Sequence, residues 1–286
     1  MTIRPALRPG AAVLRRDDRH LQIGTSPGIV LDDRPGLMSL LLSFDGTHDL
    51  PLDPLLQELL ALGAVVDASS WSTRTPAEAR ALSVHADPAQ LEARSRAAIC
   101  VVDDGGSHDF AELVRELLHD AGVERTDHDD PALLVLVSSG EPARHVFDEA
   151  VRRCLTHLPV RLDEDRVLIG PFVVPGSGPC VRCHDLHRGD WDRSWWAVVP
   201  QLGARSPHHN PPAPRVLTAH AAAVEVADAV LDHLAGRPAL RGMLHSIGPH
   251  HRDRDVWRIA FHPRCPCALL LPVETAEPTT VGRRLS

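Results

Sequence analysis

The chain contains no lysine, so all 30 of its Lys+Arg side chains are arginine. Chemistry that rests on a lysine amine is thereby excluded: Schiff-base catalysis, anchoring of pyridoxal phosphate, and the phosphate-gripping lysine of a P-loop. Tyrosine is absent as well, and five tryptophans and five phenylalanines leave little to stack on the bases of a single-stranded nucleic acid. A formal net charge of −8 argues against a phosphate backbone or an anionic membrane as partner. No stretch approaches the ~18 uncharged apolar residues that a membrane span requires. The opening Met1-Thr2-Ile3-Arg4-Pro5 leads into no apolar signal core. The expectation is a cytoplasmic protein that takes neither nucleic acid nor membrane as partner.

What is present is the composition of a folded chain, 43% hydrophobic and 24% charged over 286 residues, enough for one large domain or two smaller ones. Three short β-like runs, 11–14, 20–23 and 28–31, are separated by turn signals. Strands this short need a helical cover. Residues 35–44 supply one, with Leu37, Leu40, Leu41 and Phe44 spaced for one helix face. A second helix starts at the N-cap Asp53, carries Leu55, Leu56, Leu59, Leu60 and Leu62, stops at Gly63, and leads into the extended run 64–66. Residues 1–68 therefore read as a β-β-β-α-α unit of winged-helix type. Residues 69–95 are polar and alanine-rich and read as a linker with a short helix.

From 96 to the end the pattern becomes α/β. Apolar runs at 97–102 and 132–137 alternate with amphipathic helices at 110–121 and 143–154, the signature of right-handed crossovers and a parallel sheet. Short strands at 159–162 and 167–169 continue that sheet, 216–234 is the longest helix, and strands near Leu244 and at 256–261 finish the domain. A proline-rich stretch around His208-His209 precedes that helix.

Six cysteines are too few for a disulfide scaffold in this compartment, and four of them pair closely. Cys180-Val181-Arg182-Cys183 is followed 82 residues later by Cys265-Pro266-Cys267. Two thiolate pairs from distant segments meet the needs of a tetrahedral zinc site, and four thiolates leave no open position, so the zinc is structural. Gly176, Gly178, Pro179, Pro263 and Pro266 supply turns of the knuckle kind. The same first pair, followed by His184, has the C-x-x-C-H form of c-type haem attachment, and it also has the form of a redox dithiol. Haem attachment requires export and leaves Cys265 and Cys267 unexplained; a redox dithiol normally opens a helix after an early strand. Cys100 and Cys154 read as inert core thiols. Among 18 histidines none falls in an H-E-x-x-H pattern, and His184, His187 and His262 beside the thiolates read as bystanders, the alternatives being donors to the ligand sulfurs or spare ligands.

The run 169–183, Ile-Gly-Pro-Phe-Val-Val-Pro-Gly-Ser-Gly-Pro-Cys-Val-Arg-Cys, together with His262-Pro263-Arg264-Cys265-Pro266-Cys267, resembles the ThiF-like relatives of ubiquitin-activating enzymes. The closest likeness is to the bacteriocin-biosynthesis cyclodehydratase subgroup of leader-peptide-binding proteins. Leu21-Gln22-Ile23-Gly24 and Phe44-Asp45-Gly46 make the N-terminal unit similar to the PqqD-like winged helix that recognises precursor peptides. The resemblance implies a structural zinc on Cys180, Cys183, Cys265 and Cys267. It also implies a leader peptide added as a strand beside Gly28, Ile29, Val30 and Leu31, with apolar contacts to Leu55, Leu56 and Leu59. Taken singly, each of those leucines reads rather as core of the small unit. The implied partner is a YcaO-type ATP-dependent cyclodehydratase that converts Cys, Ser or Thr to azolines; a homodimer through the sheet domain follows by analogy.

Catalytic relatives place ATP on a G-x-G-x-x-G turn after the first strand of this domain. Here that turn is Asp103-Asp104-Gly105-Gly106-Ser107-His108, which sets two carboxylates where a triphosphate would meet a helix N-terminus. With no lysine to hold phosphate, ATP is not expected as a cofactor, and the domain reads as a degenerate Rossmann-like scaffold. The alternatives are an active ThiF-like adenylating enzyme and a zinc-stabilised α/β protein of unrelated role.

Overall fold

The computed structural model describes residues 2–25, 28–70, 88–203, 212, 214–237 and 240–267. Most of the linker expected at 69–95, the end of the turn at Ser26-Pro27, and His208-His209 lie outside the described residues. The chain divides into two compact units, Met1–Leu91 and Glu92–Ser286.

In the first unit, β3 (Val13–Arg15), β4 (His20–Ile23) and β5 (Ile29–Asp32) form an antiparallel sheet in that order. The period of two in β4 decides its orientation: Leu21 and Ile23 are fully buried while His20 and Gln22 are partly exposed. Helix α1 (Leu37–Leu42) buries Leu37 and Leu41, one turn apart. Helix α2 (Pro54–Ala61) starts with proline in its first turn, and the Asp53 carboxylate accepts the Leu56 N–H at 2.8 Å. Gly63, at φ +66°, lets the chain leave α2 in a left-handed conformation that a side chain would oppose.

Elements with no period of their own complete this unit. β1 (Thr2–Ile3) pairs with β6 (Leu50–Pro51), and β2 (Pro5–Leu7) pairs with β7 (Val65–Asp67), both antiparallel. Of these the run at β7 alone carries a sequence signal; pieces of two or three residues are set by their distant partners.

In the second unit six strands lie in the order β13-β12-β11-β10-β9-β8, after helix α3 (Pro88–Ser95). β8 (Ile99–Asp103), β9 (Leu133–Ser139) and β10 (Thr156–Asp163) are parallel, joined through α4 (His108–Asp120) and α5 (Arg144–Arg152). The expectation of a parallel sheet holds for these three only. β11 (Arg166–Ile169) returns antiparallel through the two-residue turn Glu164-Asp165, with Glu164 at φ +48°. A connection that short cannot cross over, so it forces a hairpin. β12 (Met243–Ile247) and β13 (Arg254–Arg258) extend the sheet antiparallel.

Strand alternation divides the core. Val135, Val137, Leu158, Val160, Val167 and Ile169 pack on one side, with α4 and α8 (Val216–Leu234). Leu136, Leu168 and Leu244 face the other side, where α5 and α6 (Val181–Trp191) bring Phe147, Val181 and Leu186 against the four paired cysteines. Helix α7 (Trp195–Gly203) follows α6. No helix among the described residues is long and apolar enough to cross a membrane.

Candidate metal centre

Cys180, Cys183, Cys265 and Cys267 converge: their sulfurs all lie within 4.8 Å of one another, and all four residues are buried. The Cys180 and Cys265 sulfurs are 3.6 Å apart, and those of Cys183 and Cys267 3.3 Å. A tetrahedron with metal–sulfur bonds of about 2.3 Å has sulfur–sulfur edges of about 3.8 Å. The donor set therefore fits a four-coordinate, thiolate-preferring ion with little movement, and these four cysteines could hold a metal ion.

Local structure explains the convergence. Cys180 is the N-cap of α6 and Cys183 lies in its first turn, so the helix start aims both sulfurs to one side. The approach to Cys180 is close: a β-carbon on Gly242, which is itself at φ +63°, would stand 2.9 Å from the Pro179 ring. Buried Asp185 anchors α6, accepting from Arg144 Nε at 2.7 Å, from its Nη2 at 3.0 Å, and from the Trp195 indole N–H at 3.2 Å. From the second segment the His262 N–H donates to the Cys183 sulfur at 3.4 Å, and the His262 carbonyl accepts the Cys265 N–H at 2.9 Å.

The thiols do not titrate independently. Hydrogen bonds from Cys180 and Cys267 hold Cys183 well below the ordinary thiol range, while hydrogen bonds to Cys180 and Cys183 push Cys267 up. The Cys183 thiolate forms readily, and Cys267 must then ionise against its charge. A divalent cation relieves that repulsion. The neighbouring His184 imidazole is pushed down to about 3 by burial and by Arg161, Arg188 and Arg144, which keeps it neutral.

Two expectations change at this site. His262 is not a bystander: it is buried and its backbone bonds to both cysteine pairs, so of the alternatives its place beside the thiolates allowed, the donor to a ligand sulfur holds. Cys154 is exposed at a helix end, with φ +53°, rather than a core thiol, because the residue past α5 turns outward; Cys100 is partly buried.

At the turn after β8, Gly105 and Gly106 take φ +74° and +80°, and α4 begins at His108. The Asp103 carboxylate accepts both the hydroxyl and, at 3.2 Å, the backbone N–H of Ser107. The anion at this helix start is thus the chain's own carboxylate.

In the first unit β5 pairs only with β4 among the described residues. The Asp33 N–H donates to the Arg19 carbonyl at 2.6 Å, one step beyond the His20–Asp32 pair. Bonded pairs alternate along an antiparallel ladder, so Leu31 and Ile29 point their amides at β4, and Val30 and Asp32 point theirs away. Val30 is 45% exposed, Gly28 is exposed, and Ile29 and Leu31 are partly buried. Leu56 and Leu59 are buried in the unit's own core, with Leu55 packed against it. The Leu56 and Leu59 side chains are taken up by that core and are not available at the surface, because the α2 face they share must cover the sheet, whereas Leu55 is only partly buried.

No protein-family model matches the chain, and none of the curated proteins does. Solved structures do match. A heterocyclase in complex with substrate and cofactor aligns over 92% of this chain and 39% of its own, with TM-score 0.67 at 18% identity. The heterocyclase TruD aligns over 94% of this chain and 43% of its own, with TM-score 0.67 at 16% identity. MccB of E. coli with MccA aligns over 94% of this chain and all of its own, with TM-score 0.61 at 12% identity. The chain has the fold shared by these heterocyclases and MccB. It spans about two fifths of the length of the two heterocyclases it matches.

Proposed function

We propose that this chain is a non-catalytic leader-peptide-binding component of azol(in)e-forming peptide biosynthesis, acting with a YcaO-type cyclodehydratase. Residues 1–68 recognise the peptide, 69–95 link, and 96–286 form a ThiF-like scaffold held in shape by structural zinc on the four clustered cysteines. The observation that carries the reading is the edge of β5, where Val30 and Asp32 turn their amides outward. An extended peptide needs such an edge to add a strand. The contact surface is then Gly28, Ile29, Val30 and Leu31 with the exposed flank of Leu55, while Leu56 and Leu59 shape it from inside. The fold supports this reading: one matching heterocyclase was solved with substrate and MccB with MccA.

A second reading, an active adenylating enzyme, has one observation in its favour, since MccB matched over its whole chain was also solved with ATP. The self-capped Asp103 turn and the missing lysine weigh against it. Calorimetric titration of metal-loaded protein with Mg-ATP separates the two. We expect no heat of binding; micromolar binding would favour the enzyme. Val30→Pro tests the peptide site: it removes an outward amide without touching the β4 ladder, so the fold should survive while affinity for the precursor peptide falls at least tenfold, about 1.4 kcal/mol. A folded variant with unchanged affinity would move the peptide to another surface.

A further inference from the structure

The proposed metal centre has support that its four ligands do not account for. On α6, Cys183, His187 and Asp190 stand at i, i+4 and i+7, hence on one face of the helix. The segment bearing the second cysteine pair is held along that face. At its start the His262 N–H meets the Cys183 sulfur at 3.4 Å. One turn further, His187 Nε2–H donates to the Ala260 carbonyl at 3.1 Å, and its ring meets the His262 ring edge-on at 4.7 Å between centroids. At the far end His262 Nε2 lies 2.8 Å from an Asp190 carboxylate oxygen, and Arg264 reaches the other. His262 Nδ1 accepts the Arg264 N–H at 3.1 Å, so the proton of this imidazole sits on Nε2 and is donated to Asp190.

We propose that His187 and Asp190 of α6, gripping His262, form a clamp that positions Cys265 and Cys267 for the metal. The proposal rests on the four-cysteine reading and adds positioning residues to it. The physical gain is preorganisation. C-P-C on a loose segment would lose chain entropy at the moment of binding, whereas a segment already tied to α6 has lost it in folding. The clamp slows metal loss in particular, because a released thiolate stays within reach of the ion.

The test uses the full chain loaded with one zinc and mixed with excess chromogenic chelator. His187→Ala and Asp190→Ala change exposed side chains, so the fold should persist, and circular dichroism checks this. We expect each variant to release zinc about tenfold faster than the unaltered protein, within the range common for groups that orient metal ligands. Asp190→Asn keeps an acceptor for the His262 N–H and should recover part of that loss. Cobalt-loaded samples should show the same tetrahedral thiolate spectrum in every variant, since no ligand has changed. Release at the unaltered rate from both alanine variants would overturn the clamp. If the unaltered protein takes up neither zinc nor cobalt, the four-cysteine reading itself falls, and the clamp with it.

Discussion

A buried imidazole, His157, shows how a single side chain sets a pH limit. It lies on β10, fully buried, stacked on Phe147 at 5.7 Å, and its Nδ1–H donates to the Leu155 carbonyl at 2.9 Å. Burial lowers its basicity below the ordinary value of 6.5. The unfolded chain therefore binds a proton near pH 6.5 that the folded chain refuses. Stability is full above that pH and declines as pH falls toward the folded value. Urea unfolding at pH 7.5 and 5.5 should show this loss, and His157→Phe, which keeps the ring stack, should make it smaller. An unchanged pH slope in His157→Phe would assign the effect elsewhere. The clustering of the four cysteines was legible at this scale from spacing, and so was the position of the turn that carries Asp103 and Asp104. The Asp103 to Ser107 contact was not, because a carboxylate in a glycine turn can point out to solvent or back at the helix.

Elements followed their own patterns where those were long enough to carry one. α8 runs over Val216–Leu234 as its periodicity predicts, and β8 and β9 fall on the apolar runs that announced them. β1, β2 and β6 carry no such signal and exist through pairings with residues 47 to 62 positions away. The α6–α7 corner depends on a glycine for a reason visible only in packing: a β-carbon at Gly189 would overlap the Trp196 indole. Gly189→Ala should cost about 1–3 kcal/mol, as overpacking does, rather than gain the few tenths expected of alanine in an open helix. Chemical denaturation followed by tryptophan fluorescence measures it, and a stabilised variant would mean that α7 moves aside freely.

For the molecule as a whole, the division into Met1–Leu91 and Glu92–Ser286 makes cooperativity a question with a direct answer. Each unit has its own core, Leu21, Ile23, Leu41 and Leu59 in the first and the strands with α4 and α8 in the second. The four cysteines that could hold a metal all belong to the second. Removing the metal with a strong chelator should therefore lower one calorimetric transition and leave the other in place, since binding free energy stabilises only the unit that holds the ion. Two transitions falling together would mean that the units unfold as one.

The amino-acid sequence alone determined the composition limits, the four metal-binding candidates and the change from a small β/α unit to an α/β one. Those properties reside in residue identity and short-range spacing. Tertiary structure alone decided that the sheet is half antiparallel, that Leu56 and Leu59 face inward, and that His262 serves the cysteines. Each of these depends on which distant segments meet: a hairpin is set by its turn, a burial by the opposing layer, and an N–H to sulfur bond by a segment 79 residues further along the chain.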